Sequence, residues 1–219
     1  MKIREIRDLP LPGLRVVRFD RFADERGYFT ETFRAEQIGD ALGGPFRIEQ
    51  ANESFSRGGV VRGLHFQWSP WQGKLVRPLS GRLLDIALDI RRGAPTYGCA
   101  VVYAIAADRD AAADEWIWLP PGFAHGIALA EETLIEYLCT GPWSPGNEAS
   151  ISPFADDLDW SLCDPRLKAE LDAIVAAGAV VTEKDRDGHS LAAWEATPDA
   201  ARFVYDPAAP FAVRSERSD

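Results

Sequence analysis

The sequence predicts an all-β fold, a sandwich or barrel closed from many short strands. Three observations predict it. Segments rich in β-branched and aromatic residues recur along residues 14–140, Gly and Pro punctuate them at short intervals, and helical patterns are scarce. In chain order the strand-like segments are Leu14–Phe19, Gly27–Phe33, Phe46–Gln50, Val60–Gln67, Lys74–Leu79, Arg82–Ile90, Tyr97–Ile105, Glu115–Leu119, Gly126–Ala130 and Thr133–Thr140. Several alternate apolar with polar residues, as in Leu84-Asp85-Ile86-Ala87-Leu88-Asp89-Ile90, which is the period of a half-buried strand. Turn signals fall between them at Gly43-Gly44-Pro45, Gly58-Gly59, Ser80-Gly81, Pro120-Pro121-Gly122 and Ser144-Pro145-Gly146. Arg34–Leu42 reads as one short helix. Asp164 and Pro165 supply an N-cap and a first-turn proline for an amphipathic helix over Arg166–Ala177, with Leu167, Leu171 and Ile174 inward. Residues 1–188 form a single domain that includes this helical segment, and the polar, Pro/Ala-rich stretch 189–219 reads as a loosely packed C-terminal extension.

Composition excludes several classes of function. With 219 residues, 46% hydrophobic and 26% charged, the chain is an ordinary globular one and long enough to bury a core without disulfide staples. A net charge of −10 argues against nucleic acid and anionic membrane as partners. An anionic ligand then needs a pocket in which local Arg and Lys override the global field. Cys99, Cys139 and Cys163 are odd in number and lack a CxxC pair, so they read as buried small hydrophobes in a reducing compartment. The start MKIREIRDLP has no apolar signal-peptide core, and the longest apolar run, Cys99–Ala107, is far shorter than a membrane span. A cytoplasmic setting is expected.

The chain has three histidines: His65, His125 and His189. Each can be a packed histidine bonded to a backbone carbonyl. His65 stands out because Arg62, Gln67 and Lys74 accompany it on segments that a purely structural role would leave apolar, and buried cations are costly without anions. Pro121-Gly122-Phe123-Ala124-His125 is similar to one half of the cupin metal motif. The other half requires two histidines one residue apart, and Gln67 stands where the second belongs, so no metal is expected. The chain lacks a Gly-x-Ser-x-Gly elbow, a dinucleotide-binding glycine fingerprint and a phosphate-binding Walker loop. A cofactor-free pocket of histidine, lysine and tyrosine remains, a set suited to proton abstraction beside a carbonyl.

Five motifs in register carry a family resemblance across residues 10–187. They are Asp24-Glu25-Arg26-Gly27-Tyr28-Phe29; Gln50-Ala51-Asn52; Val60-Val61-Arg62-Gly63-Leu64-His65-Phe66-Gln67 with Gln72-Gly73-Lys74-Leu75-Val76; Asp85-Ile86-Ala87-Leu88-Asp89-Ile90-Arg91; and Pro121-Gly122-Phe123-Ala124-His125-Gly126. In these the chain resembles the dTDP-4-dehydrorhamnose 3,5-epimerases, which invert the carbons flanking the 4-keto group of a nucleotide sugar. The resemblance implies a double-stranded β-helix, the cupin-like jelly roll, with short C-terminal helices, no cofactor and a homodimer. It implies a dTDP-linked 4-keto-6-deoxyhexose as substrate.

Carried over by position, the resemblance makes His65 the general base and Asp185 the acid that orients it. Lys74 becomes the partner of the enolate oxygen, and Tyr137 the acid on the opposite ring face. Without the family, Asp185 reads as a solvated acid, Lys74 as an exposed strand lysine and Tyr137 as a packed strand tyrosine. Arg26 and Arg62 are similar to the family's diphosphate ligands, and Glu31, Gln50, Asn52 and His125 to its nucleotide and sugar contacts. The family commonly continues Lys-Ala-Thr after its tyrosine strand, with a tyrosine pair beyond. Here the chain reads Leu138-Cys139-Thr140-Gly141-Pro142-Trp143, which offers Trp143 as the stacking ring, and Glu53 stands where histidine is frequent. Relatives that invert only C3 or only C5 share these motifs, and a sugar-binding cupin without catalysis is the rival from another class.

Overall fold

Two antiparallel sheets face one another across a core that both supply. The computed structural model describes residues 2–44 and 46–208. The strands are β1 (Ile3–Asp8), β2 (Arg15–Asp20), β3 (Phe22–Asp24), β4 (Gly27–Phe29), β5 (Gln50–Ser56), β6 (Val60–Gln67), β7 (Lys74–Ser80), β8 (Arg82–Asp89), β9 (Ala100–Ala106), β10 (Ala113–Leu119), β11 (Phe123–Leu129), β12 (Thr133–Cys139) and β13 (Glu148–Ser150). The helices are α1 (Ala35–Leu42), α2 (Pro165–Ala176), α3 (Glu183–Arg186) and α4 (Leu191–Glu195), followed by a 3-10 turn over Pro198–Arg202. One sheet has the order β1-β2-β10-β7-β12-β5 and the other β13-β6-β11-β8-β9, with β3 and β4 forming a separate hairpin. From β5 to β13 successive strands alternate between the sheets, except where β8 and β9 pair directly. That winding is the double-stranded β-helix. No helix among the described residues is long and apolar enough to cross a membrane.

The inner faces meet through Val76, Ile117 and Ile135 of one sheet and Leu83, Ala87, Val101 and Ile127 of the other. Strand β8 departs from the half-buried pattern its alternation suggests, because it is covered on both faces. Leu84, Ile86 and Leu88 turn outward yet lie under Leu171 and Ile174 of α2. The acids of the same strand, Asp85 and Asp89, are buried as well. Such groups persist only when partnered, and Asp89 holds Arg91 and Thr96 while Asp85 holds His125. The helix expected after Pro165 starts with the Asp164 side chain accepting from the Arg166 N–H, as its capping pattern requires.

Other boundaries differ. Phe46–Glu49 is irregular and the strand begins at Gln50, because β5 is a sheet edge whose alternate residues are exposed and carry little apolar signal. The Gly27–Phe33 segment is a strand only to Phe29, and the N-terminal edge strand β1, with its exposed side chains, shows no core pattern. The tail is not loosely packed as far as it is described. Leu191, Trp194, Ala200 and Phe203 are buried in the cluster that covers β6 and β8, so the chain to residue 203 is part of the folded unit. Residues 209–219 of the extension, and Pro45 of the first turn, lie outside the described residues. Cys99, Cys139 and Cys163 are buried with free thiols.

Trp194 meets Phe66 edge-on at 4.6 Å and Phe203 at 5.4 Å. Trp194→Ala is expected to cost about 3–5 kcal/mol of unfolding free energy, measured by urea denaturation. A loss within about 0.5 kcal/mol, as at a surface site, would return the tail to a loose appendage.

Candidate active site

Strands β6 and β11 run side by side, and their register pairs His65 with His125. The pairing shifts between His125 and Ile127, where Gly63 lies against Gly126. A Cβ on Gly63, whose φ is +112°, would come within 2.5 Å of the Gly126 Cα, so only glycine permits this approach. From the facing sheet β7 begins with Lys74 and β12 carries Tyr137, which is registered between Val76 of β7 and Asn52 of β5. The two sheets thereby deliver His65, His125 and Arg62 from one side, and Lys74, Tyr137 and Ser54 from the other, to one open hollow of about 540 Å³. An adjoining hollow shares His65, Lys74 and Tyr137 and adds Gln50, Asn52, Gln67, Gln72, Trp143 and Glu148.

Asp185 stands behind His65. Thr182 caps α3 by accepting from the Asp185 N–H, which turns the carboxylate inward, where it is 4% exposed. Its Oδ1 lies 2.6 Å from His65 Nε2 and its Oδ2 accepts from the Gly63 N–H at 3.1 Å. A carboxylate can only accept, so Nε2 carries the proton and Nδ1 keeps the lone pair. Burial pushes the His65 imidazole below its ordinary pKa, and nearby Lys74 adds to that, while the Asp185 hydrogen bond pulls the other way. The neutral, proton-accepting form therefore dominates at neutral pH. Burial likewise lowers the Lys74 ammonium and raises the Tyr137 phenol, so Tyr137 keeps its proton. Lys74 forms no ion pair among the described residues, and the Arg62 guanidinium bonds the neutral Ser56 hydroxyl at 3.0 Å. Among the described residues Arg62 thus has no ion-pair partner in the hollow, and Lys74 feels the Asp85 and Glu148 carboxylates only beyond ion-pair distance.

His125 is fixed through Nε2 by Asp85 at 2.8 Å. Gln50 bonds Asn52 at 2.9 Å and accepts from the Trp143 N–H at 2.7 Å, and the half-exposed Trp143 indole donates to Glu148. Burial disfavours the Glu148 carboxylate, but Lys184 and the Trp143 indole outweigh it and hold its pKa below the usual range. Gln67 is engaged with the backbone. Its amide donates to the Pro70 and Pro142 carbonyls and accepts from the Ser144 N–H. Both histidines along this wall are bound through Nε2 to carboxylates, and no group of three or more His, Cys, Asp or Glu side chains clusters among the described residues.

Two expected site residues lie elsewhere in the single chain. Arg26 is on the β3–β4 hairpin, highly exposed and paired with Asp24 at 2.6 Å, and Glu31 is bound to Arg34. Several residues that sequence reasoning did not assign belong to the site: Ser54 and Gln72 line the hollows, and Asp85, Glu148 and Lys184 line them or hold residues that do. Asp85 had a visible signal, an acid inside an otherwise apolar strand. Glu148 and Lys184 had none, since each is a charged residue in a polar stretch, and only the fold brings Lys184 to Glu148 and Glu148 to Trp143.

The chain matches, over residues 8–193, the family model described as dTDP-4-dehydrorhamnose 3,5-epimerase. It belongs to that family. The dTDP-4-dehydrorhamnose 3,5-epimerase of Pseudomonas aeruginosa is 38% identical over 172 residues, covering 78% of this chain and 87% of the relative. A dTDP-4-dehydrorhamnose 3-epimerase of Streptomyces niveus is 34% identical, covering 80% and 84%. Among solved structures, the dTDP-6-deoxy-D-glucose-3,5-epimerase of Legionella pneumophila, in complex with dTDP-4-keto-L-rhamnose, superposes with a TM-score of 0.75 at 32% identity, covering 92% of this chain and 98% of that one. The protein is accordingly an isomerase of the dTDP-sugar epimerase type with a cupin-like jelly roll.

Asp185→Asn removes the interaction that raises the His65 pKa. NMR titration of the imidazole should then give a midpoint below that of the parent protein. An unchanged or higher midpoint would mean that Asp185 does not tune this ring.

Proposed function

We propose that the protein inverts C3 and C5 of a dTDP-linked 4-keto-6-deoxyhexose, with His65 as base and Tyr137 as acid and without metal or cofactor. One observation carries the reading: a histidine braced by a buried carboxylate shares a hollow with a protonated phenol and an unpaired ammonium. The 4-keto group acidifies both neighbouring C–H bonds. The free nitrogen of His65 takes one of those protons, and the electron pair moves through the C–C bond to the keto oxygen. Lys74 faces that developing enolate; its depressed pKa makes it a stronger donor to the oxyanion. Asp185 stabilises the imidazolium formed meanwhile. Tyr137 delivers a proton to the carbon from the opposite side, which inverts it, and solvent restores both groups before the second carbon reacts.

Arg62 is suited to a diphosphate oxygen by its planar donor fork. The second hollow, with Gln50, Asn52 and the Trp143 ring, suits the thymidine, and His125 suits the sugar. Arg26 and Glu31 fit this scheme across a homodimer. The β3–β4 hairpin presents Phe22, Tyr28 and Phe29 as exposed aromatics beside Arg26, a surface suited to a partner subunit's hollow. The single-carbon reading, as in the Streptomyces niveus relative, is separated by counting exchanged positions.

Incubation of dTDP-4-keto-6-deoxyglucose in deuterated solvent is expected to label both C3 and C5. Label at one carbon makes the protein a single-carbon epimerase, and no label would overturn the reading. His65→Ala should abolish exchange, and Tyr137→Phe should slow inversion by roughly a hundredfold or more. The acidic limb of kcat/KM should lie below the ordinary imidazole value of about 6.5, because burial outweighs the Asp185 bond.

A further inference from the structure

The thymidine end of the cavity has a wall of two irregular segments, residues 68–73 between β6 and β7 and residues 140–147 between β12 and β13. They are laced together. Gln72 Nε2 donates to the Gly141 carbonyl at 2.8 Å, and the Gly73 N–H donates to Thr140 Oγ1 at 2.8 Å while Gly73 O accepts from the Thr140 N–H. The Gln67 amide ties Pro70 to Pro142 and Ser144. Gly141 has no room to spare, since a Cβ there would meet the Trp71 carbonyl oxygen at 2.7 Å. The two segments therefore shift together or not at all, and Trp143 and Gln72 shift with them.

The tail anchors this unit from behind. The Phe203 ring meets Trp71 edge-on at 4.8 Å and Trp68 at 6.2 Å, and it is 1% exposed. Phe203 is itself pinned to the chain after β8: its carbonyl accepts from the Arg92 N–H at 2.7 Å, and the Tyr205 N–H donates back to the Arg92 carbonyl at 3.0 Å. Phe203 lies beyond residue 193, where the family match ends.

We infer that Phe203 is a positioning residue for nucleotide binding, holding Trp71 and through it the Gln72–Trp143 wall. The inference rests on the reading of this hollow as the thymidine site. Phe203 also meets Phe66 edge-on at 5.4 Å, yet loosening the wall leaves His65, Lys74 and Tyr137 where they are, because β6, β7 and β12 are held by their own ladders. The effect is therefore one of affinity: Phe203 acts on KM and on the binding of free dTDP, and not on the proton transfers.

The test is titration of the full chain with dTDP alone, alongside steady-state exchange kinetics and their pH profile, for the parent protein, Phe203→Ala and Phe203→Leu. Phe203→Ala should weaken dTDP binding and raise KM by roughly tenfold or more, a scale at which a misplaced wall residue is felt. Phe203→Leu, which keeps apolar bulk but loses the edge contact, should fall between. In both, kcat should stay within about twofold and the acidic limb should not move, since uniform binding is what is lost. Where the alanine variant fails to fold, the leucine variant decides. A folded variant with parental dTDP affinity overturns the inference, as does a fall in kcat with a displaced acidic limb. Failure of the parent protein to bind dTDP would instead overturn the reading of the hollow.

Discussion

The contact between His65 and Asp185 is the constraint around which the rest is arranged. It joins residues 120 positions apart, the middle of a central strand and a four-residue helix near the end of the fold. Neither partner is well placed alone. A nearly buried carboxylate without donors is costly, and a base with a free choice of tautomer is present in the right form only part of the time. Together they solve both problems, because the carboxylate gains two donors, the ring and the Gly63 N–H, and the ring gains a fixed proton. The Thr182 cap and the β13 contacts follow from the need to bring α3 to this point. Ser150 and Ser152 side chains reach the Lys184 and Arg186 carbonyls on either side of Asp185.

The jelly roll supplies what a single sheet could not. Successive strands alternate between sheets, so His65 on β6 and Tyr137 on β12, far apart in sequence, confront each other across the interior. On the proposed reading, a substrate lying between the sheets is addressed on both faces, which is the geometric requirement for inversion. Retention of configuration would need donor and acceptor on one side. The same alternation explains the burial pattern of β8. Its inner acids serve the hollow and Arg91, and its outer apolar residues need the cover that α2 and the tail provide.

Strand periodicity made most of the sandwich legible in the sequence, because central strands such as β6, β11 and β12 carry enough apolar residues to show their period. Edge strands were not legible. The residues of β5 alternate between exposed and half-buried positions and those of β1 are almost all exposed, and a polar edge looks like a loop. His65 and Lys74 could be suspected from composition alone, since a strand pattern seldom carries such groups without use. Asp185 was reachable only through family resemblance, because nothing in Thr182-Glu183-Lys184-Asp185 distinguishes a buried acid from a solvated one. The tail was misread for a related reason. Trp194 and Phe203 sit in short apolar runs, Leu191–Trp194 and Phe203–Tyr205, that make no periodic stripe, yet large aromatics in an otherwise polar stretch are themselves a sign of burial.

On the proposed reading, a protein of net charge −10 holds a dianionic substrate, so it must localise its positive field, and the pairing pattern does this. Away from the cavity the more buried arginines are spent on acids, as where Arg77 lies between Asp114 and Glu136, Arg82 on Glu170, and Arg91 on Asp89. Around the hollow the balance is reversed. Asp185, Asp85 and Glu148 are each occupied by a donor, whereas Arg62 faces a neutral hydroxyl and Lys74 makes no close ion pair among the described residues and feels Asp85 and Glu148 only across a longer gap. Exposed surface acids are screened within roughly 8–10 Å at ordinary ionic strength, so their repulsion scarcely reaches a bound diphosphate. These two cations act at contact distance in a partly desolvated space, where attraction is stronger. The charge that favours solubility and the charge that binds substrate are thus separated by distance and solvent, and the global acidity does not weaken the site.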